Sequence, residues 1–182
     1  MLKNLNFCQK ISTFVKNLNF CQKSQLLSKI STFVKIIFIL DAFRGRHTGP
    51  DASIKYAAQV ENVISKNDGK VAAFIAESLM SCAGQIMPPD GYFDSVYNYC
   101  HKNGVLCIAD EVQVGFGRVG EKMWAFELQN VTPDLVTIGK PIANGFPIAA
   151  VVTRREIAES YWKSGSQVRL YVIFTRLRDP SG

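Results

Sequence analysis

Two short apolar runs in this chain each end abruptly in a charged residue, and the two charged residues lie thirty positions apart. Residues 105–109 (VLCIA) run into Asp110, and residues 135–139 (LVTIG) run into Lys140. A short apolar run that stops at a polar residue is typical of a buried strand whose carboxyl end opens onto a site. Because parallel strands end at one edge of a sheet, the pattern predicts that Asp110 and Lys140 face each other across a cleft.

The segments around these two runs alternate between helical and strand patterns. The predicted segments are helices over 51–66, 90–102 and 154–161, and strands over 71–76, 105–109, 135–138 and 148–152. Continuous apolar strands that alternate with helices are typical of α/β proteins. We therefore expect an α/β fold with a mostly parallel sheet and helices on both faces.

The positive charge of the chain is concentrated in a basic N-terminal tail at residues 1–40. The net charge is +6, yet the tail alone holds six lysines and no acidic residue. The rest of the chain, with fifteen basic and fifteen acidic residues, is neutral. The basic character therefore gives no support for nucleic-acid binding by the main part of the chain.

The tail also contains two pairs of identical segments. NLNFCQK occurs at 4–10 and 17–23, and KISTFVK occurs at 10–16 and 29–35. Duplication of a coding segment explains identical copies best, and a basic amphipathic helix for a membrane surface or an acidic partner is the alternative. The tail partly resembles a mitochondrial presequence, but it lacks arginine. An intracellular location is expected, with the mitochondrion and the cytoplasm both left open.

Metal-binding and membrane-spanning patterns are missing from the sequence. The five cysteines show no Cys-x-x-Cys spacing, and both histidines stand apart from any cysteine pair, so no metal site is predicted. The longest apolar run, residues 36–40, is far shorter than the roughly 20 residues of a membrane span.

The residues at the two strand ends suggest the chemistry of pyridoxal phosphate. A carboxylate at Asp110 could hold the pyridine nitrogen protonated, and an amine at Lys140 could form a Schiff base. Val112 could pack on the ring face, and Gln113 could bond to the ring oxygen. Two plainer interpretations stay open: Asp110 as a turn cap, and Lys140 as a lysine that snorkels from the sheet edge. We expect partial burial of Lys140 and a tight backbone at Gly139.

A literal G-x-G-x-x-G pattern occurs at Gly115, Gly117 and Gly120. In a dinucleotide-binding fold this pattern directly follows a strand and opens a helix. Here it starts five residues beyond the predicted strand end, and no helix signal follows. We interpret it as a glycine-rich turn rather than a dinucleotide site.

Three stretches resemble class-III pyridoxal phosphate aminotransferases, a family of fold type I. They are AAFIAES at 72–78, IADEVQVGFGRVG at 108–120 and PDLVTIGKPIANGFPIAAVVT at 133–153. The resemblance implies that Lys140 is the Schiff-base lysine, Asp110 the partner of the pyridine nitrogen and Gln113 the partner of the ring hydroxyl. It implies that Val112 packs against the ring. It further implies pyridoxal 5'-phosphate as cofactor, a small amine as substrate and a homodimer.

Within the family, SCAGQIMPP at 81–89 is similar to a stretch of the ethanolamine-phosphate and phosphohydroxylysine phospho-lyases. Many ω-aminotransferases carry glutamate where Cys82 stands, so this stretch favours phosphate elimination. Phe146 argues the other way, because alanine–glyoxylate-type aminotransferases have phenylalanine there. A phospho-lyase is therefore the first expectation. An alanine–glyoxylate-type transaminase and a non-catalytic fragment are the alternatives.

The resemblance covers only part of the family's length. We expect a partial large domain at 41–162, preceded by the tail at 1–40 and followed by an unmatched segment at 163–182. The family's phosphate-binding turn is expected upstream of position 41, where the tail contains no glycine. The chain is thus expected to carry the part of the site that contacts the cofactor ring and supplies the lysine.

Overall fold

The computed structural model describes residues 47, 49–81, 84–146 and 148–163. The predictions for the basic tail, for Cys82 and for most of the 163–182 segment lie outside these residues. The described elements are helices α1 (Ala52–Lys66), α2 (Tyr92–Lys102) and α3 (Arg155–Lys163), strands β1 (Ala73–Glu77), β2 (Leu106–Asp110), β3 (Leu135–Ile138) and β4 (Ala150–Thr153), and the 3₁₀ helices Ala125–Gln129 and Lys140–Ala143. The predicted helices and strands are all present, with ends that differ by about two residues.

The four strands form one sheet in the order β1-β2-β3-β4. The first three run parallel, while β4 pairs antiparallel with β3 and forms an edge. The prediction of a mostly parallel sheet is confirmed. The register places Glu77, Asp110 and Thr137 side by side at the carboxyl ends of β1, β2 and β3.

Alternating side chains of the strands enter two separate cores. Phe74 and Cys107 point to the face covered by α1 and α2, where they pack with residues such as Val96. Ile75 and Ile108 point to the opposite face, where α3 supplies Ile157 and Tyr161. Because both faces are covered, the strands are apolar throughout rather than alternating. The expectation of helices on both faces is confirmed.

The end of α2 determines where β2 begins. Asn103 follows the helix, and Gly104 has a φ of 67°, which is a left-handed conformation that glycine adopts without strain. The amides of Gly104 and Val105 donate to the carbonyls of His101 (3.1 Å) and Cys100 (2.9 Å). The chain enters β2 directly after this turn. Asp110 therefore lies at the far, carboxyl end of the strand. In the part of the chain described here, no helix has the length and apolar character needed to cross a membrane.

Candidate functional site

Asp110 is the last residue of β2 and uses one carboxylate oxygen locally. Its Oδ1 accepts hydrogen bonds from the Val112 amide (3.0 Å) and from Thr137 Oγ1 (3.1 Å). Its Oδ2 accepts no hydrogen bond from any described residue. The turn-cap interpretation therefore accounts for one oxygen only. The second oxygen is available to a ligand.

The surroundings of Asp110 disfavour its charged form. Burial raises the pKa of its carboxyl, and the nearby charge of Glu77 raises it further. The hydrogen bonds from Val112 and Thr137 and the charge of Lys140 lower the pKa, but burial prevails. A cationic group bonded to Oδ2 would stabilise the carboxylate, so the site is electrostatically suited to a positive partner.

Lys140 follows β3 after Gly139 and begins a short 3₁₀ helix. Its φ is 42°, in the left-handed region that lysine rarely adopts. Its Nζ donates a hydrogen bond to Gln113 Oε1. The expected partial burial is wrong, because Lys140 is exposed in the described structure. The chain turns outward directly after β3, which carries the lysine to the surface of the sheet edge.

Val112, which follows β2, packs closely against Gly139, which follows β3. A Cβ built on Gly139 would lie 3.3 Å from Val112 Cγ1, which is closer than ordinary van der Waals contact. A glycine here therefore allows the two segments to approach closely, as expected from the sequence. With the Asp110–Val112 and Gln113–Lys140 hydrogen bonds, the structure brings all four predicted site residues together.

Glu111 has a structural role that the sequence pattern did not predict. Its side chain is 0% exposed, and its two oxygens accept hydrogen bonds from the amides of Ala125 (2.8 Å) and Phe126 (3.1 Å). Its own amide donates to the carbonyl of Thr137 (2.9 Å). Glu111 thus fixes the 3₁₀ helix Ala125–Gln129 against the turn that carries Val112. The available signal was a second acidic residue directly after Asp110 in a largely apolar segment.

The glycine-rich segment after this turn forms turns, not the start of an α-helix. Gly117 and Gly120 have φ values of 76° and 86°. The Gly117 amide donates to the Met123 carbonyl and the Gly120 amide to the Gly117 carbonyl, both at 3.0 Å. This geometry agrees with the interpretation of a turn rather than a dinucleotide site.

A cleft of about 480 Å³ lies beside the Lys140–Gln113 pair. Gln113 forms part of its wall, together with Gln85 and Arg118 and with apolar side chains that include Leu79, Met87 and Leu128. This volume is within the usual range of small-molecule pockets, about 300–1,000 Å³. A ligand in the cleft would therefore lie next to the amide that holds the lysine amine.

At the amino end of β3, Asp134 connects three elements. Its carboxylate accepts hydrogen bonds from the Cys107 amide (2.8 Å) and Arg154 Nη2 (2.7 Å), and His101 Nε2 lies 2.9 Å from it. Possible metal-ligating atoms of His101, Cys107 and Asp134 lie within 4.8 Å of one another. The fold thus brings the side chains of His101 and Cys107, which lie at opposite ends of the α2–β2 connection, close to Asp134. The observed hydrogen bonds give Asp134 a structural role.

The raised pKa of Asp110 makes a prediction about stability. Because the folded state holds the proton more tightly than the unfolded state, the contribution of Asp110 to stability falls as pH rises from its ordinary value of about 4 through the raised pKa. Asp110→Asn keeps an oxygen that can accept from Val112 and Thr137. We therefore expect the variant's free energy of unfolding to rise relative to wild type between pH 4 and pH 7.

Urea unfolding at several pH values measures this difference. Asp68→Asn, the same change at an exposed residue, is the matched control. A difference between Asp110→Asn and wild type that shrinks as pH rises would contradict the prediction.

Comparison with known proteins places this geometry in a family. The class-III aminotransferase family model matches residues 17–171. A Drosophila melanogaster protein named alanine–glyoxylate aminotransferase 2-like is 53% identical over 133 residues, which cover 69% of this chain and 27% of the relative. Ethanolamine-phosphate phospho-lyase homolog 1 of Caenorhabditis elegans is 43% identical over 136 residues, which cover 66% of this chain and 29% of the relative. The names of two further relatives, from Homo sapiens and Arabidopsis thaliana, include the word "mitochondrial".

A solved structure agrees with the sequence relatives. The ω-transaminase of Pseudomonas jessenii in complex with PMP matches with a TM-score of 0.62 and 30% identity. The match covers 68% of this chain and 28% of that protein. The chain thus spans less than a third of the length of these relatives. Because the family model matches most of the chain and the solved structure shares its fold, the chain belongs to the class-III aminotransferase family, of fold type I.

Proposed function

We propose that this chain carries the ring-binding and lysine-bearing part of a pyridoxal phosphate-dependent phospho-lyase or aminotransferase that acts on a small amine. Class-III aminotransferases depend on this cofactor. The observation that carries the proposal is the continuous set of contacts from Asp110 through Val112 and Gly139 to Lys140 and Gln113. It joins a carboxylate to a primary amine at one sheet edge.

The residues present fit the cofactor ring. Asp110 Oδ2, which accepts no hydrogen bond from the described residues, is the acceptor proposed for the protonated ring nitrogen. The raised pKa of Asp110 fits this role, because a cationic partner would offset the cost of burying the carboxylate. Val112 supplies an apolar surface for the ring face, and the Gln113 side chain a polar group for the ring hydroxyl.

Lys140 is proposed to act both as the covalent attachment point and as the proton carrier. When bound, pyridoxal phosphate supplies an electron-accepting ring that stabilises negative charge on a substrate carbon. With the cofactor bound, Lys140 Nζ would accept the proton that leaves that carbon. The Gln113 side chain positions the amine, and the exposure of Lys140 leaves it accessible to cofactor and substrate.

Two reactions remain compatible with the site. The similarity to a phospho-lyase homolog and the 81–89 stretch favour elimination of phosphate from a phosphoethanolamine or phosphohydroxylysine type of amine. The higher identity to the alanine–glyoxylate aminotransferase 2-like relative and the presence of Phe146 favour amino transfer. Phe146 is 75% exposed and follows the Lys140–Ala143 helix closely, so it is placed to contact a substrate or a second subunit. We also propose that the protein acts as a homodimer.

The decisive test is chemical labelling of the purified chain. Incubation with pyridoxal phosphate, reduction with borohydride and mass spectrometry should locate a covalent adduct on Lys140. Circular dichroism of the same sample verifies that the protein is folded. A folded protein without an adduct at Lys140 would exclude the proposed role in cofactor binding.

A pair of assays then separates the two reactions. Phosphate release from phosphoethanolamine and amino transfer to a keto acid are measured on the same preparation. We expect phosphate release to be the faster reaction. Amino transfer without phosphate release would instead assign the chain to the transaminases.

A further inference from the structure

The cleft that Gln113 lines contains a single formal charge among its described residues. Of the described residues that line it, Arg118 alone is charged, and the remaining ones are glutamines and apolar side chains. Arg118 makes no ion pair or hydrogen bond with any other described residue. Arg118 is an exposed residue at the cleft, so its five donors are accessible to a ligand.

The glycine-rich turn explains why Arg118 occupies this position. Gly117 and Gly120 flank it in left-handed conformations, and the Gly117–Met123 hydrogen bond closes the loop. Gly115, on the inner side, has no room for a side chain, because a Cβ would lie 2.9 Å from the Trp124 ring. The turn is therefore held in place on Trp124 and presents Arg118 at the cleft.

A second polar residue of the cleft, Gln113, connects it to the Lys140 amine. Gln113 lines the cleft and accepts the hydrogen bond of Lys140 Nζ. With pyridoxal phosphate held on Lys140, a small molecule in the cleft would meet the cofactor's amine-reactive group beyond Gln113 and the Arg118 guanidinium within the cleft. A short amine that carries a phosphate or a carboxylate has the matching arrangement of groups.

We propose that Arg118 is a specificity-determining residue that binds the anionic group of the amine substrate, a phosphate monoester or a carboxylate. The inference rests on the proposed function, because it takes the cofactor held on Lys140 as the group that reacts with the substrate amine. The apolar side chains Leu79, Met87 and Leu128 contact the short carbon chain between the two polar ends. An amine that lacks an anionic group would not make this contact with Arg118.

Ligand titration of the purified 182-residue chain, followed by NMR, tests the inference without requiring turnover. The ligands are phosphoethanolamine, β-alanine and ethanolamine, which share an amine and differ in their anionic group. We expect wild type to bind at least one of the anionic amines about tenfold or more tightly than ethanolamine. The more tightly bound of the two identifies the anion as phosphate or carboxylate.

Three variants of the chain make this comparison specific. Arg118→Gln should reduce the preference for the anionic amine to less than about threefold, and Arg118→Lys should retain an intermediate preference because it keeps the charge but loses the bidentate geometry. Lys66→Gln, which removes one exposed positive charge at the end of α1, should behave as wild type. An unchanged preference in both Arg118 variants would overturn the inference.

The adduct experiment separates this inference from the proposed function. Arg118→Gln should form the Lys140 adduct with pyridoxal phosphate in the same yield as wild type, because Arg118 is assigned to the substrate. A yield reduced about tenfold would place the cofactor phosphate on Arg118 and overturn the substrate assignment. If no protein forms the adduct while Arg118→Gln still loses the anion preference, the proposed function fails and the anion site stands.

Discussion

Lys140→Arg should abolish the covalent adduct with pyridoxal phosphate and lower any turnover by at least about 1,000-fold. Arginine retains the positive charge and can still donate to Gln113 Oε1, so the local hydrogen bond is preserved. Its guanidinium stays protonated and cannot serve as the amine nucleophile. The loss would therefore report the chemistry of the amine rather than a change in charge.

Lys122→Arg is the matched control for this experiment. Lys122 is also exposed and lies beyond the glycine-rich turn, outside the proposed site. Adduct formation is followed by absorbance and by mass spectrometry after reduction. Equal adduct yields in Lys140→Arg and wild type would show that another lysine captures the cofactor, and would contradict the assignment of Lys140.

Glu111→Ala should lower the free energy of unfolding by about 2–5 kcal/mol. The substitution removes both acceptors from the Ala125 and Phe126 amides and leaves a cavity at a fully buried position. An unpartnered buried amide alone costs about 1–3 kcal/mol. The 3₁₀ helix Ala125–Gln129 should therefore lose its attachment to the site turn.

Chemical denaturation measures this effect, with Glu159→Ala on α3 as the control. Glu159 is exposed, so its replacement should change the unfolding free energy by no more than about 0.5 kcal/mol. Glu111→Gln keeps one acceptor oxygen and should fall between alanine and wild type. If Glu111→Ala were as stable as Glu159→Ala, the structural role of the buried carboxylate would be wrong.

The sheet and the grouping of site residues could be predicted because both depend on local apolar pattern. The runs before Asp110 and Lys140 are short and uninterrupted, as expected for strands buried on both faces. Once parallel strands were inferred, their carboxyl ends had to share an edge. The four residues Asp110, Val112, Gln113 and Lys140 followed from that geometry together with the family resemblance.

Other features depend on contacts between distant segments, which pattern alone does not show. The antiparallel direction of β4 depends on how the chain returns after the Lys140–Ala143 helix. The exposure of Lys140 follows from a backbone turn that reverses the expected burial. Asp134 joins His101, Cys107 and Arg154, and these partners lie 20 to 33 positions away in the chain. Pairings of this kind are set by tertiary packing.

The left-handed backbone of Lys140 bears on how natural variation in this chain should be interpreted. A side chain other than glycine or asparagine in this conformation costs about 1–3 kcal/mol. Selection for folding alone would therefore favour a residue that adopts the left-handed backbone more easily than lysine does. Among variants of this chain, a lysine kept at position 140 is a mark of selection for chemistry, whereas drift to glycine or asparagine marks a lineage that retains the fold without the reaction.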